Sequence, residues 1–340
     1  MRLRKRNVPQ SYKAAGVDIE AAEEIVRRIR RDARSTYSRD VLSEIGAFGG
    51  FYDARFRGYK HPVLVSSIDG VGTKLKVAAM VGQHATIGED LVNHCVNDVL
   101  VCGARPLFFL DYIGVGKLSP TITSEILQGI VKACKENNCS LIGGETAEMP
   151  GVYRRGDYDL VGAIVGVAEK ERLLDGRSVQ AGDHLIALPS TGLHTNGYSL
   201  ARKVLLKKFR VDDFVEELGT TIGAALLAVH RSYLKPISAL SKSIKIHGMA
   251  HITGGGIVGN TKRIMPSGLS LKIDWRAWRR PTIFDLIQRV GNVLEKEMQR
   301  TFNLGVGLVI TMSKGDVPRA VARLRKLGEQ PFIIGHIERK

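Results

Sequence analysis

At 340 residues the chain is long for one hydrophobic core and comfortable for two. Its 44% hydrophobic and 25% charged content is that of an ordinary packed protein and excludes long disorder. No run of about eighteen apolar residues occurs, so no membrane span and no membrane partner are expected. The formal net charge of +16 is unusual. Its densest stretches, 2–6, 27–34 and 203–210, do not interleave aromatics in the manner of a single-strand binding surface, which speaks against a specific nucleic-acid partner. The basic balance suits a solvated surface or attraction to phosphorylated small molecules.

The four cysteines (Cys95, Cys102, Cys134 and Cys139) form no C-x-x-C pair. They read as buried small hydrophobes in a reducing, cytoplasmic protein, not as zinc ligands or disulfides.

In chain order, residues 1–17 read as a polar arm, and a helix capped by Asp18 runs to about Arg34. The β-branched run 63–68 predicts a strand, ending in Asp69 and the loop Gly70-Val71-Gly72-Thr73-Lys74. A helix over 88–102, a strand over 107–110, a helix over 123–137 and strands over 140–142 and 160–168 follow. The charged stretch 169–183 lacks apolar periodicity and marks a domain boundary. Beyond it come a strand at 185–188, a helix at 198–209 and a helical stretch at 221–242 broken before Pro236. A glycine loop at 254–259 and a strand–helix–strand close at 304–336 complete the chain. Mixed strands and helices in both halves predict an α+β or α/β architecture. The divisions are an arm over 1–17, a first domain over 18–172 and a second over 173–340.

The helix at 88–102 carries Glu89, Asp90, Asn93, His94, Asn97 and Asp98 on about half of the helical circle, with no Lys or Arg among them. Two readings stand: a solvated face, or an oxygen-rich stripe suited to Mg²⁺. The 69–74 loop offers glycines for close backbone approach to a phosphate, and Lys74 as a point charge. No Walker A sequence, G-x-S-x-G elbow or H-E-x-x-H helix occurs. Gly143-Gly144-Glu145-Thr146 places an acid and a hydroxyl on a loop after a strand. Ser190–Ser199, with His194, Thr195 and Asn196, leads into a helix start that favours an anion. Gly254-Gly255-Gly256 reads as a phosphate loop; its G-x-G-x-x-G match lacks the βαβ unit of a dinucleotide fold.

Taken together, DGVGTK at 69–74, D-x-x-x-x-G-A-x-P at 98–106, GGETAEMPG at 143–151, STGLHTNGYS at 190–199 and TGGG at 253–256 resemble the phosphoribosylformylglycinamidine cyclo-ligase (aminoimidazole ribonucleotide synthetase) family. SYKAAGVD at 11–18 and RTFNLGVG at 300–307 extend the resemblance over about 11–337. The D-x-x-x-x-G-A-x-P element alone is shared with sister phosphotransferases such as thiamine-monophosphate kinase, which is the alternative. The resemblance implies two α+β domains, the first binding ATP and pairing through its sheet in a homodimer. It implies ATP-dependent ring closure of formylglycinamidine ribonucleotide, with ATP and Mg²⁺ as cofactors and K⁺ as a further candidate. The implied metal ligands are Asp69, Asp98 and Glu145. Lys13, Gly70, Gly72, Thr73, Lys74, Asn97, Gly143, Gly144 and Thr146 join them around ATP. His194, Thr195, Asn196 and Gly254–Gly256 handle substrate and phosphate, and His194, Lys74 and Asp98 are the catalytic candidates.

Overall fold

The computed structural model describes residues 29–340. The expected arm, Lys13 and the cap Asp18 lie outside these residues; residues 29–34 are helical. In the first half come β1 (Pro62–Gly70), α1 (Lys74–Val81), α2 (Ala85–Val101), β2 (Arg105–Val115), α3 (Pro120–Glu136), β3 (Ser140–Glu148) and β4 (Tyr158–Glu169). The strands form one sheet in the order β1-β4-β2-β3, antiparallel except for the β2–β3 pair. Alternation puts Phe109 and Ile113 under the helices, while Leu64, Ile68 and Leu110 point to the uncovered face. The two long helices touch backbone to backbone. A methyl added at Gly129 would come 1.9 Å from Ala85 O, and one at Gly88 2.1 Å from Ile126 O, so only glycine allows this crossing.

The second half contains β5 (His184–Pro189), α4 (Tyr198–Leu205), the short pair β6 (Phe214–Val215) and β7 (Thr220–Thr221), α5 (Ile222–Leu226), α6 (Leu234–Leu240), β8 (Gly248–His251), α7 (Gly256–Lys262) and β9 (Leu269–Ile273). Then follow α8 (Thr282–Gly291), α9 (Glu295–Thr301), β10 (Val306–Met312), α10 (Val317–Lys326) and β11 (Phe332–Arg339). Five strands pair antiparallel in the order β8-β10-β5-β11-β9. Ile186 and Leu188 of β5 face the main core, and Leu185 and Ala187 face a smaller one that includes Ile257.

Several features differ from the sequence-based expectation: the 143–146 segment, expected as a loop, continues strand β3, and the glycine loop expected over 254–259 is helical from Gly256. The helix expected over 88–102 begins at Ala85, and α1 precedes it over residues to which no element was assigned from sequence. The helical stretch expected over 221–242 is two short helices, and the break lies at 227–233, not before Pro236. Pro236 sits in the first turn of α6, where its missing N–H costs nothing. Residues 228–233 leave the helical path because α2 captures their backbone groups, as described next.

Candidate active site

The polar stripe of α2 is not solvated. Asp90 and Asn97 are fully buried, and Asn93 and His94 nearly so. Asn93 Nδ2 donates to His230 O at 2.8 Å, and Asp90 Oδ1 accepts from His230 N at 2.7 Å. Asn97 donates to Arg231 O at 2.9 Å and accepts from Tyr233 N at 2.9 Å. Three side chains of one helix thus satisfy the main chain of a segment in the other domain, and so dock the two halves. This corrects the expected role of Asn97 at ATP: both ends of its amide are committed.

Lys74 calls for a second correction. Its ammonium is wholly buried, 2.7 Å from Asp90 Oδ2 and 2.8 Å from Ala228 O. It is a structural cation between the domains, not a charge presented to a phosphate. Burial pushes the Lys74 pKa down against the pull of Asp90. It likewise lifts Asp90 to about 6, against the pull of Lys74 and the His230 N–H.

Around this strut three loops converge. Gly72 lies close to Thr195 O, Thr73 Oγ1 is 3.2 Å from Ser199 Oγ, and the Asn196 carboxamide borders Gly254. At their meeting point stand two carboxylates. Asp69, at the end of β1, lies with an oxygen 2.8 Å from His94 Nε2. Asp98, one turn further along α2, accepts from Ser67 Oγ at 3.0 Å and from His251 Nδ1 at 2.8 Å. Burial alone would raise both acids. Their histidine partners outweigh it and hold both below the usual carboxylate range, so both are ionised at neutral pH. Burial likewise disfavours a charged His94, but Asp69 and Asp98 outweigh it and raise its pKa. His251 goes the other way, lowered by burial despite Asp98. Thr195 Oγ1 links His94 Nδ1 at 2.7 Å to His230 Nδ1 at 3.4 Å, and His230 Nε2 is 3.0 Å from His251 Nε2.

His194 does not face this junction as a free acid or base. It is fully buried at φ 60°, stacked on His230 at 4.0 Å, with Nε2 accepting from Thr191 N. Burial drives its pKa well down, so the ring is neutral and shapes its loop. The Gly143–Thr146 segment is also apart. In β3 it lies three strand positions from β1, about 14 Å away, and Glu145 is exposed there. Glu145 therefore does not join Asp69 and Asp98 around one ion.

Sequence reasoning missed His230, His251 and Asp111. The first has no local signal, and the second stood unassigned at the head of the TGGG loop. Asp111 sits in β2 beneath the helices, so close to Gly144 that a methyl there would come 2.3 Å from its Oδ1. Burial, with a smaller push from Glu145, lifts it to about 7 against its own backbone N–H. A carboxyl raised this far keeps its proton in the folded state while the unfolded chain ionises near pH 4. Stability is then lost as pH rises from about 4 to 7. Asp111→Asn is expected to flatten that dependence. Urea titrations at pH 5 and pH 8 check this; parallel losses in both proteins would exclude Asp111 as the source.

The fold and the paired carboxylates define a class of two-domain α+β proteins with an acidic pair at the domain junction. The family model for AIR synthase related protein, N-terminal domain, matches residues 54–168, and that for the C-terminal domain matches 180–340. Among solved structures, thiamine-monophosphate kinase from Stenotrophomonas maltophilia K279a superposes with a TM-score of 0.69 at 16% identity, over 93% of each chain. E. coli HypE, a hydrogenase maturation protein, gives 0.68 at 15% identity, over 94% of this chain and 92% of its own. These share the fold. Curated relatives are much nearer. The phosphoribosylformylglycinamidine cyclo-ligase of Thermoanaerobacter sp. (strain X514) is 50% identical over 329 residues, 96% of this chain and 97% of the relative. That of Sorangium cellulosum (strain So ce56) is 50% identical over 331 residues, covering 96% and 95%. The chain belongs to the phosphoribosylformylglycinamidine cyclo-ligase family.

Proposed function

We infer that the domain junction carries out the family's reaction. Formylglycinamidine ribonucleotide and ATP give aminoimidazole ribonucleotide, ADP and phosphate, a step of purine biosynthesis. The observation that carries this reading is the convergence of Asp69 and Asp98 with the 190–199 and 253–256 loops. A formyl amide oxygen is a poor leaving group. Transfer of the γ-phosphoryl group to it makes phosphate the leaving group, and the amidine nitrogen of the same molecule then closes the ring. Holding both ends in one cleft makes the attack intramolecular.

Two ionised carboxylates side by side fit a hard divalent cation, and Asp69 and Asp98 would hold Mg²⁺. Bound there, Mg²⁺ would neutralise charge on the transferred phosphoryl group. Backbone N–H groups of Val71–Thr73 and Gly254–Gly255 are the proposed phosphate contacts, with Thr195 and Asn196 towards the substrate; the Gly70 and Gly256 N–H groups are held by Asp69 Oδ1 and Thr253 O and shape the two loops. Gly143, Gly144, Glu145 and Thr146, remote from the carboxylates, are proposed for the other end of the nucleotide. Purified protein given Mg-ATP and formylglycinamidine ribonucleotide should produce ADP and aminoimidazole ribonucleotide in step. ATP hydrolysis indifferent to that substrate would contradict the reading.

The uncovered face of the first sheet supports a homodimer. Leu64 is 58% and Ile68 70% exposed on β1, and Leu110 is 36% exposed on β2. A sheet packed by helices on one side and apolar on the other calls for a cover, and a second copy of the same face supplies it. The pair Leu64→Asp and Ile68→Asp is expected to halve the mass seen by sedimentation. An unchanged mass would place the interface elsewhere.

A further inference from the structure

We propose that a cavity at the start of α3, apart from the domain junction, is a binding site for an organic phosphate: a phosphate monoester with a small aromatic or apolar body. The cavity has a volume of about 330 Å³, at the lower end of the range for small-molecule sites. It lies where β2 ends at Val115 and β4 begins at Tyr158, against the first turns of α3. Tyr158 is three residues along β4 from Val161, the partner of Gly70. About 10 Å of strand therefore separates it from the end of β1 that carries Asp69.

The floor of the cavity is apolar. Val115, Ile122, Ile126 and Tyr158 line it, and Val115 and Ile126 are buried. Tyr158 is held in place: its hydroxyl is 2.9 Å from His84 Nδ1, and the His84 ring meets it edge-on. A flat body finds a preformed wall there.

The rim carries charge of one sign. Lys117 and Arg155 line the cavity, are exposed, and pair with no acid among the described residues. The acid that lines it, Asp157, is already paired with Lys76. Glu125 is felt electrostatically at His84 and Tyr158 but does not line the cavity. The helix start adds donors. Ser119 caps α3 without a side-chain hydrogen bond, and the N–H groups of Thr121 and Ile122 have no acceptor among the described residues. The positive end of a 17-residue helix dipole falls at the same place.

A separate observation points to a ligand. Thr123 is 1% exposed and lines the cavity, yet its hydroxyl makes no hydrogen bond among the described residues. A helical threonine can satisfy its hydroxyl on the carbonyl four residues back. Here Ser119 O accepts the Thr123 N–H and not the hydroxyl. A buried hydroxyl without a partner, on the wall of a cavity rimmed by two free cations, is a donor left for a ligand oxygen. Lys117, Arg155, two N–H groups and this hydroxyl exceed the roughly four acceptor sites of a carboxylate and suit the three oxygens of a phosphate ester.

The test is calorimetry on the full chain, without ATP or substrate, with phenyl phosphate and inorganic phosphate titrated separately. The expected result is one phenyl phosphate per chain, bound about tenfold or more tightly than inorganic phosphate because the ring covers the apolar floor. Lys117→Ala and Arg155→Ala, both at exposed positions, should each weaken binding by about 10–100-fold. Thr123→Val keeps the shape of the side chain and breaks no existing bond, so the fold stays; it should weaken binding by about 3–10-fold. Asp98→Asn should leave binding unchanged. No stoichiometric binding, equal affinity for the two phosphates, or affinity indifferent to the three cavity variants would overturn the proposal. A loss confined to Asp98→Asn would do the same, by placing the ligand at the domain junction.

Discussion

Asp98→Asn is expected to cost about a thousandfold in kcat/KM for ring closure while leaving the fold intact. The amide keeps the shape of the carboxyl and still offers an acceptor to Ser67 Oγ or His251 Nδ1. What it loses is the negative charge that burial opposes and the flanking histidines sustain. That charge is what an ion on the transferred phosphoryl group requires. A loss of this size with unchanged thermal unfolding assigns Asp98 to the chemistry. Wild-type turnover would remove Asp98 from the site, and with it the junction. A parallel loss of stability would make it a packing residue.

Lys74→Met should act on the opposite quantity. Here the expectation is a loss of about 3–5 kcal/mol of stability, because Asp90 would be left in the interior without its cation and would have to take up a proton or stay charged there. The double variant Lys74→Met with Asp90→Asn should recover most of that loss. The asparagine oxygen can still accept from His230 N, and no buried charge remains. Urea denaturation of the two single variants and the double one gives the coupling directly. If Lys74→Met is as stable as the parent but binds ATP weakly, then Lys74 reaches the nucleotide after all. The docking account of α2 would then be wrong.

The two residues illustrate what was legible in the sequence. Asp98 is found locally: it lies at helical spacing from Asp90 and His94 and opens a recognisable D-x-x-x-x-G-A-x-P element. Asp69 is found from a β-branched run that stops at an acid before glycines. Those signals are local, and the strands and helix they belong to were correctly placed within a few residues. Lys74 and Asn97 have equally suggestive neighbours but different roles. Their partners, Ala228 O and Arg231 O, lie more than a hundred residues downstream, where no local pattern announces them. The same long-range contacts explain the break at 227–233. Its residues have ordinary helical spacing, yet their backbone groups are worth more to Asp90, Asn93 and Asn97 than to a continued helix. His230 was invisible for the same reason, since it acts through groups 133 to 140 positions away on α2.

The most direct test of the account follows one oxygen atom. Formylglycinamidine ribonucleotide labelled with ¹⁸O in its formyl group is turned over with Mg-ATP, and the phosphate released is analysed by mass spectrometry. Phosphorylation of the formyl amide oxygen followed by ring closure predicts one labelled oxygen in every phosphate. Unlabelled phosphate, with the label in water, would show that ATP is spent elsewhere and would contradict the mechanism placed at the domain junction.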